Sequence, residues 1–286
     1  PVVHNCPAGT TATGSGYATG GTGLYRDELF WLDWSCNGET FATGDTVNKS
    51  WTLPSGLVVN AQITNITESM TSYITGTWTG DKLDDFYSGL NPIGLTNSVD
   101  SKDPAFDISF SVTLNGKTLP ADIVWADAED TDNANEYLKV TTDGNAFQPL
   151  EGIGVLNATF SNGGKTLLLN DLAFAGSGTL LTMSENVSKL SVDINAGGKQ
   201  AIAFGVFIPF DYGDVPNTYA PALGHYVDLS AAGGSQPTTA TAVTSLTKAT
   251  ITSASTYYLG TQKPDTEKAD QPNATATGDD ADTLDD

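Results

Sequence analysis

Basic residues are scarce in this 286-residue sequence, and their scarcity excludes one class of partner. Lysine and arginine together number 12 against 34 aspartates and glutamates, which gives a formal charge of −22. Arg26 is the only arginine. A surface of this sign repels phosphate backbones and anionic lipid headgroups, so we expect no nucleic-acid binding. A surface of this charge attracts cations or basic partners instead.

Long apolar runs are also missing. The longest run, at 201–210, has ten residues, whereas a membrane-spanning helix needs about twenty. We therefore expect no membrane insertion. No signal peptide heads the sequence, and its start at Pro1 and end at Asp286 suggest a piece of a longer polypeptide.

The sequence also lacks the common catalytic motifs. Only two histidines occur, His4 and His225, and the sequence contains no H-E-x-x-H, no G-x-S-x-G and no glycine loop with a phosphate-binding lysine. The many carboxylates leave one enzymatic alternative open, a polysaccharide-degrading enzyme with paired acids. The sequence favours a protein that is not an enzyme.

Strand patterns, by contrast, recur along the chain. Apolar and polar residues alternate at 56–64, 107–114 and 189–194, which predicts strands with one buried face. The run at 201–210 is apolar at nearly every position and predicts a central strand covered on both faces. A helix of a turn or two is expected only near 81–90.

Turn residues separate the predicted strands. Asn115-Gly116 is the strongest hairpin signal, and 161–166 and 195–200 have similar composition. Closely spaced strands without intervening helices predict an all-β fold, an antiparallel β-sandwich.

A change in composition near residue 210 suggests two modules. The predicted sandwich covers 1–209, and a smaller acidic β and loop module covers 210–286. Residues 211–286 hold 11 acids against 3 lysines and few large apolar side chains. Such a segment needs a metal or its neighbour to stay ordered. Within it, 233–256 is of low complexity and is either a loop or the source of a Thr-rich strand.

Three stretches carry a family resemblance: GYATGGTGLYRDELFWLDW at 16–34, TGTWTGDKLDDFYSG at 75–89 and FGVFIPFDYGDVPNTY at 204–219. In this order they resemble the second non-repetitive domain of CshA-type surface adhesins, which are long fibrillar proteins of bacteria. The resemblance implies a lectin-like sandwich over roughly 16–210, an extracellular location on a bacterial surface, and attachment to a glycan or to a glycoprotein or protein of another cell or host.

The remainder resembles a second module of bacterial surface proteins. That module opens on Asp-Tyr-Gly-Asp-Ala-Pro-Asp-Ser-Tyr and ends in an aspartate-rich run. This chain has DYGDVPNTY, which departs from the pattern at Val215 and Asn217, and it ends in GDDADTLDD.

Clustered carboxylates in this acidic module suggest bound calcium, which takes six to eight oxygen ligands. Repulsion between them would be relieved by a divalent ion, and a short polar segment has little else to hold it folded. The alternative is a solvated acidic linker. The predicted ligands are Asp211, Asp214, Asp265, Glu267, Asp270, Asp279, Asp280 and Asp282.

Two stretches of the sandwich offer ligand-binding candidates. Sugar sites often pair an aromatic platform with carboxylates that accept hydroxyl bonds. The alternative is that the aromatics are core and the acids are solvated. The candidates are Trp78, Asp81, Asp84, Asp85 and Tyr87 in the first stretch, and Asp127 and Glu129 in the acidic stretch 126–136. A second cation site is the other functional interpretation of 126–136.

The extracellular location implied by the resemblance favours a disulfide between Cys6 and Cys36, the only cysteines. The function we expect is noncovalent binding by an adhesin module, with calcium stiffening its acidic part. A structural spacer without a ligand of its own is the rival interpretation.

Overall fold

The computed structural model describes residues 16–34, 36–53, 56–77, 81–90, 92–100, 102–129, 131, 135–170, 178–208, 210–211, 225–226, 229–232 and 239–253. One short α-helix, α1 at Leu83–Phe86, and two 3-10 helices, at Asn162–Gly164 and Val243–Ser245, lie among its strands. The strands are β1 Leu29–Trp31, β2 Thr40–Phe41, β3 Val47–Thr52, β4 Leu57–Thr64, β5 Met70–Tyr73, β6 Gly94–Asn97, β7 Ala105–Leu114, β8 Lys117–Leu119, β9 Ile123–Asp127, β10 Tyr137–Thr142, β11 Gln148–Ser161, β12 Thr166–Asn170, β13 Gly178–Ser184, β14 Lys189–Asn195, β15 Ala201–Phe207, β16 Phe210–Asp211, β17 His225–Tyr226, β18 Leu229–Ala232, β19 Thr239–Ala242 and β20 Thr250–Ser253.

Most of these strands form two antiparallel sheets that are joined through β11. The first sheet has the order β2-β5-β6-β15-β9-β13-β11, with β1 also paired to β15. The second has the order β11-β12-β10-β14-β7-β4-β3, with β8 beside β7 and β19 beside β11. Residues 148–154 of β11 pair with β13 and residues 157–161 pair with β12, so one strand passes from sheet to sheet.

The main core fills the space between the two sheets. Phe204 of the first sheet packs against Phe106 and Phe110 of the second, with ring centroids 6.4 and 6.3 Å apart. Inward residues of β4, β7, β10 and β14 alternate with polar outward ones, as period-two patterning predicts. The all-β prediction is therefore confirmed, and the outward face of the second sheet is polar.

The first sheet is covered on both faces. Every residue of β15 is buried, as its continuous apolar run predicts. A second apolar cluster, which includes Trp31 and Tyr87, lies on the side away from the second sheet. Leu83 and Phe86 of α1 join this cluster, so the helix of a turn or two predicted near 81–90 is present as one turn and packs by its apolar side.

Two of the three predicted turns close hairpins. Asn115 and Gly116 have φ of 49° and 76°, the left-handed pair that a tight β7–β8 turn requires. The turn at 161–166 joins the paired strands β11 and β12 through a 3-10 helix. The segment at 195–200 differs, because β14 and β15 belong to different sheets and this connection crosses between them.

Part of the predicted second module packs on the sandwich. β19 pairs with β11 at the edge of the second sheet, and Val243 and Leu246 are buried in the main core. The Thr-rich segment thus supplies two strands, β19 and β20, of which β20 pairs with β18. How the rest of 210–286 is divided from the sandwich stays a prediction. No helix in the described ranges has the length and apolar character to cross a membrane.

Candidate functional site

The glycine-rich stretch at the start and the stretch around α1 form a single unit. We call residues 16–28 and 81–90 the cap, because they cover the outward face of the first sheet. Backbone hydrogen bonds join Thr19 N to Ser88 O at 3.0 Å, Gly23 N to Phe86 O at 2.8 Å and Ser88 N to Gly20 O at 3.1 Å. Two motifs some sixty positions apart in sequence are therefore adjacent in space.

Glycine allows this close approach. A Cβ at Gly21, whose φ is +92°, would lie 2.2 Å from the carbonyl oxygen of Phe86. A Cβ at Gly23 would lie 2.5 Å from Cζ of Tyr87. No larger side chain fits either position without moving α1.

Tyr87 ties the cap to the sheet beneath it. Its hydroxyl donates to Glu151 Oε2 at 2.6 Å, and the amide of Leu24 donates to Glu151 Oε1, also at 2.6 Å. Its ring packs edge-on against Trp31, with centroids 5.2 Å apart. Burial, and then the charge of Glu151, hold the pKa of the Tyr87 hydroxyl well above its ordinary value. Tyr87 is fully buried, so in this structure it serves packing and hydrogen bonding.

Tyr73 brings the two predicted ligand-binding stretches together. Its hydroxyl donates to the carbonyl oxygen of Ala128 and lies 3.3 Å from Asp81 Oδ1. Burial raises the pKa of Tyr73, and the charges of Asp81, Glu129 and Asp127 raise it further. The sequence predicts these acids as ligand contacts in two separate stretches, and in the fold all three lie near the Tyr73 hydroxyl.

Most of these acids are engaged within the protein. Asp81 Oδ2 accepts the Gly76 amide at 2.6 Å, and Asp127 Oδ2 accepts the Thr131 hydroxyl at 2.7 Å. Asp81, Asp127 and Glu129 are all buried. Within the described part of the chain, no group of three or more His, Cys, Asp or Glu side chains is arranged to hold a metal ion.

The remaining acids of the cap differ in exposure. Asp85 is exposed and lies 3.9 Å from Lys82 Nζ. Desolvation, and then the charge of Asp85, raise the pKa of Asp84, which packs against Gly76. That any of the cap and loop residues contacts a ligand stays a prediction.

Several predicted site residues lie outside the part of the chain that the structure describes. Trp78 lies outside the described residues, as do Cys6 and the metal candidates Asp214, Asp265, Glu267, Asp270, Asp279, Asp280 and Asp282. Asp211 is described only by its backbone, which pairs with His225. Cys36 is 2% exposed. The calcium site and the disulfide therefore stay predictions.

The second sheet carries a groove that the sequence did not predict. A groove of about 430 Å³, open to solvent, crosses the outward face of β7, β14 and β10. The register sets two rows of outward residues side by side: Ala105, Asp193 and Lys139 in one, and Asp107, Ser191 and Thr141 in the other. Asn65 and Thr67, in the loop after β4, close one end.

Hydrogen bonds hold the polar groups of the groove in place. Asp107 accepts the Ser191 hydroxyl at 2.5 Å and the Asn65 side-chain amide at 2.8 Å. Desolvation acts to raise the pKa of Asp107, but these two bonds and nearby Lys189 outweigh it, so the pKa lies below its ordinary value. The carboxylate is thus charged and fixed at neutral pH.

The other row is anchored in the same manner. Asp193 accepts the Lys139 ammonium at 3.1 Å and the Tyr137 hydroxyl at 3.3 Å. Burial, and then Asp193, raise the pKa of Tyr137. Sequence alone gave no signal for the groove, because polar outward residues on alternating strands are typical of any solvated sheet face.

Comparison with known proteins gives the chain a family. A family model described as "Surface adhesin CshA non-repetitive domain 2" matches residues 27–208. No curated protein sequence matches the chain.

Two solved structures are similar to this chain, each with low sequence identity and a low TM-score. One is the N-terminal domain of the Streptococcus gordonii adhesin Sgo0707, at 10% identity and a TM-score of 0.36, covering 68% of this chain and 54% of that one. The other is the glucan binding protein C of Streptococcus mutans, at 10% identity and a TM-score of 0.32, covering 62% of this chain and 60% of that one. The chain spans less than two thirds of either.

Proposed function

The chain belongs to the family of the surface adhesin CshA non-repetitive domain 2, and we propose that it is a non-catalytic ligand-binding module of a large bacterial adhesin. Membership of the family makes it an adhesin module of the cell surface. In our proposal the module attaches noncovalently to glycans or to proteins of a host or neighbouring cell.

The observation that carries a binding role is the groove on the second sheet. A structural spacer needs only a solvated face there. This face instead holds a concavity of about 430 Å³ in which Ser191 holds the Asp107 carboxylate and Lys139 pairs with Asp193. Concave sites with a few convergent polar groups are the usual form of a ligand site.

Direct binding measurements test the proposal. The purified chain is applied to an oligosaccharide array and to a panel of immobilised extracellular-matrix proteins, with the heat-unfolded chain as the control. We expect saturable binding to at least one surface by the folded chain only. Absence of saturable binding on both panels would favour the spacer and overturn the proposal.

Two further features belong to this proposal. Calcium would rigidify the acidic module through carboxylates of 211–214, 265–270 and 279–282, since oxygen-rich acidic clusters suit that ion. A Cys6–Cys36 bridge would secure the start of the chain to the sandwich, and the burial of Cys36 is compatible with it. Closing a loop of this length would contribute roughly 3–4 kcal/mol in the chain-entropy description.

A further inference from the structure

The groove formed by Asn65, Thr67, Ala105, Asp107, Lys139, Thr141, Ser191 and Asp193 has a chemistry that points to one class of ligand. We propose that it binds a neutral oligosaccharide. The inference rests on the binding function proposed above and adds to it the location of the site and the chemical class of the ligand.

The charged side chains of the groove are paired with one another. In a protein of formal charge −22, the groove is locally balanced. Lys139 lies 3.1 Å from Asp193, and Lys189 lies 3.6 Å from Asp107. An anionic sugar would meet ammonium groups already paired with carboxylates and an overall field that repels it. A cationic ligand would have to displace the lysines.

The groove offers both donors and acceptors of hydrogen bonds. A carboxylate offers about four acceptor positions and an ammonium group three donors. Ser191 and Asn65 occupy two acceptor positions of Asp107, and the Lys189 ammonium faces the same carboxylate at 3.6 Å. Asp193 occupies one donor of Lys139. Both donors and acceptors therefore remain for a ligand whose hydroxyl groups each donate and accept.

The Asp107 carboxylate is held in position before any ligand binds. Ser191 and Asn65 fix Asp107 from two sides, and Asn65 does so from a left-handed backbone conformation with φ of 58°. Groups held in place before binding lose little conformational entropy when the ligand arrives. Tyr137, half-buried, donates its hydroxyl to Asp193 at 3.3 Å and so holds that carboxylate from a second side.

A peptide suits the groove poorly. Its three strands have a sheet neighbour on both sides, so their backbone groups cannot add a peptide as a further strand. Protein ligands are usually held by an apolar or aromatic anchor in a desolvated pocket. The apolar residues that line this groove are Ala105 and the buried Phe106 and Val192, which leaves no such pocket.

Two substitutions with matched controls test the site. Lys139→Met removes the ammonium group, and Lys117→Met removes an exposed ammonium from β8, outside the groove. Ala105→Trp fills the groove, and Ser111→Trp places the same side chain outward on the same strand, beyond it. Both sites of the tryptophan pair lie on a strand that tolerates aromatics. Melting temperatures are measured for all four variants to check that each one folds.

The readout is binding to an array of neutral, sialylated and sulfated oligosaccharides, together with the matrix-protein panel. We expect the wild type to bind neutral oligosaccharides. Lys139→Met should bind at least about tenfold more weakly, as loss of one charge-assisted hydrogen bond implies, and Ala105→Trp should bind at least as weakly because its side chain fills the groove. Both controls should bind like the wild type.

The other outcomes separate the two proposals. Equal glycan binding by all variants would overturn the groove as the site and leave the adhesin function intact. Preference for charged glycans, or binding to proteins only, would overturn the ligand class while the binding function stands. Binding to nothing would overturn both.

Discussion

At the scale of single residues, Tyr87 and Glu151 show how the fold uses an aromatic that the sequence suggested as a ligand contact. An aromatic beside aspartates suggested a sugar platform. In the fold its ring is buried against Trp31 and its hydroxyl satisfies a buried carboxylate. Burying a carboxylate without partners is costly, so this hydrogen bond matters for stability.

Replacing Tyr87 with phenylalanine tests that role. The change keeps the ring and removes one donor to Glu151, so we expect the free energy of unfolding to fall by about 1–3 kcal/mol. The measurement is urea denaturation of Tyr87→Phe, Glu151→Gln and the double variant. Coupling between the two sites is expected, and strict additivity would contradict the bond's role. Tyr137→Phe, on the sheet surface, is the control and should change little.

The raised pKa of Tyr87 adds a pH dependence to the same test. A group whose pKa is raised on folding contributes stability that is fully present below its unfolded pKa of about 10 and is lost as pH rises through the folded value. The wild type should therefore lose more stability than Tyr87→Phe on going above pH 10. Parallel pH curves for the two proteins would contradict this.

At the scale of elements, β11 and the segment that follows β18 decide how the sandwich is closed. β11 belongs to both sheets, and β19 adds to its outer edge. The 3-10 helix at Val243–Ser245 follows, and the amide of Ala249 donates to Pro149 O at 2.7 Å. Residues 239–249 thus pack on a sandwich whose end was predicted from the sequence near residue 209.

Leu246→Ala tests whether this docking contributes to stability. Leu246 is 4% exposed within the main core, and a buried Leu→Ala change costs about 2–5 kcal/mol. Leu24→Ala makes the same chemical change at a side chain that is 75% exposed and should cost less than about 0.5 kcal/mol. The measurement is thermal and urea unfolding. Equal stability of the two variants would show that residues 239–249 do not stabilise the sandwich.

At the scale of the whole molecule, an excess of 22 negative charges opposes compaction through self-repulsion. Within residues 211–286, 10 of the 11 acids lie in three short clusters at 211–214, 265–270 and 279–286. Divalent ions that bind only the folded form would relieve this repulsion and stabilise it by mass action.

Chelation tests the calcium proposal. If calcium holds the acidic module, EDTA should lower the melting temperature of the full chain, and added calcium should restore it while magnesium should not, because the two ions differ in size and ligand number. A chain carrying alanine at Asp279, Asp280 and Asp282 is the control and should respond less. An unchanged melting curve after chelation would refute a stabilising metal.

The sequence determined the fold class and the strands with clear periodicity. The alternation at 107–114 and 189–194, the apolar run at 201–210 and the Asn-Gly turn correspond to β7, β14, β15 and the β7–β8 hairpin. These features are predictable because the polarity of neighbouring residues indicates which face of a strand is exposed to solvent. The three family motifs likewise identified an adhesin module from local residue patterns.

Only the tertiary structure decided which of these residues meet. The docking of the cap glycines on α1, the gathering of acids around Tyr73, and the two polar rows of the groove all depend on contacts between distant segments. Register across three strands placed Lys139, Asp193 and Ala105 in one line, and no single strand contains that information. Periodicity reports whether a side chain points inward or outward, whereas a binding site depends on which outward side chains become neighbours.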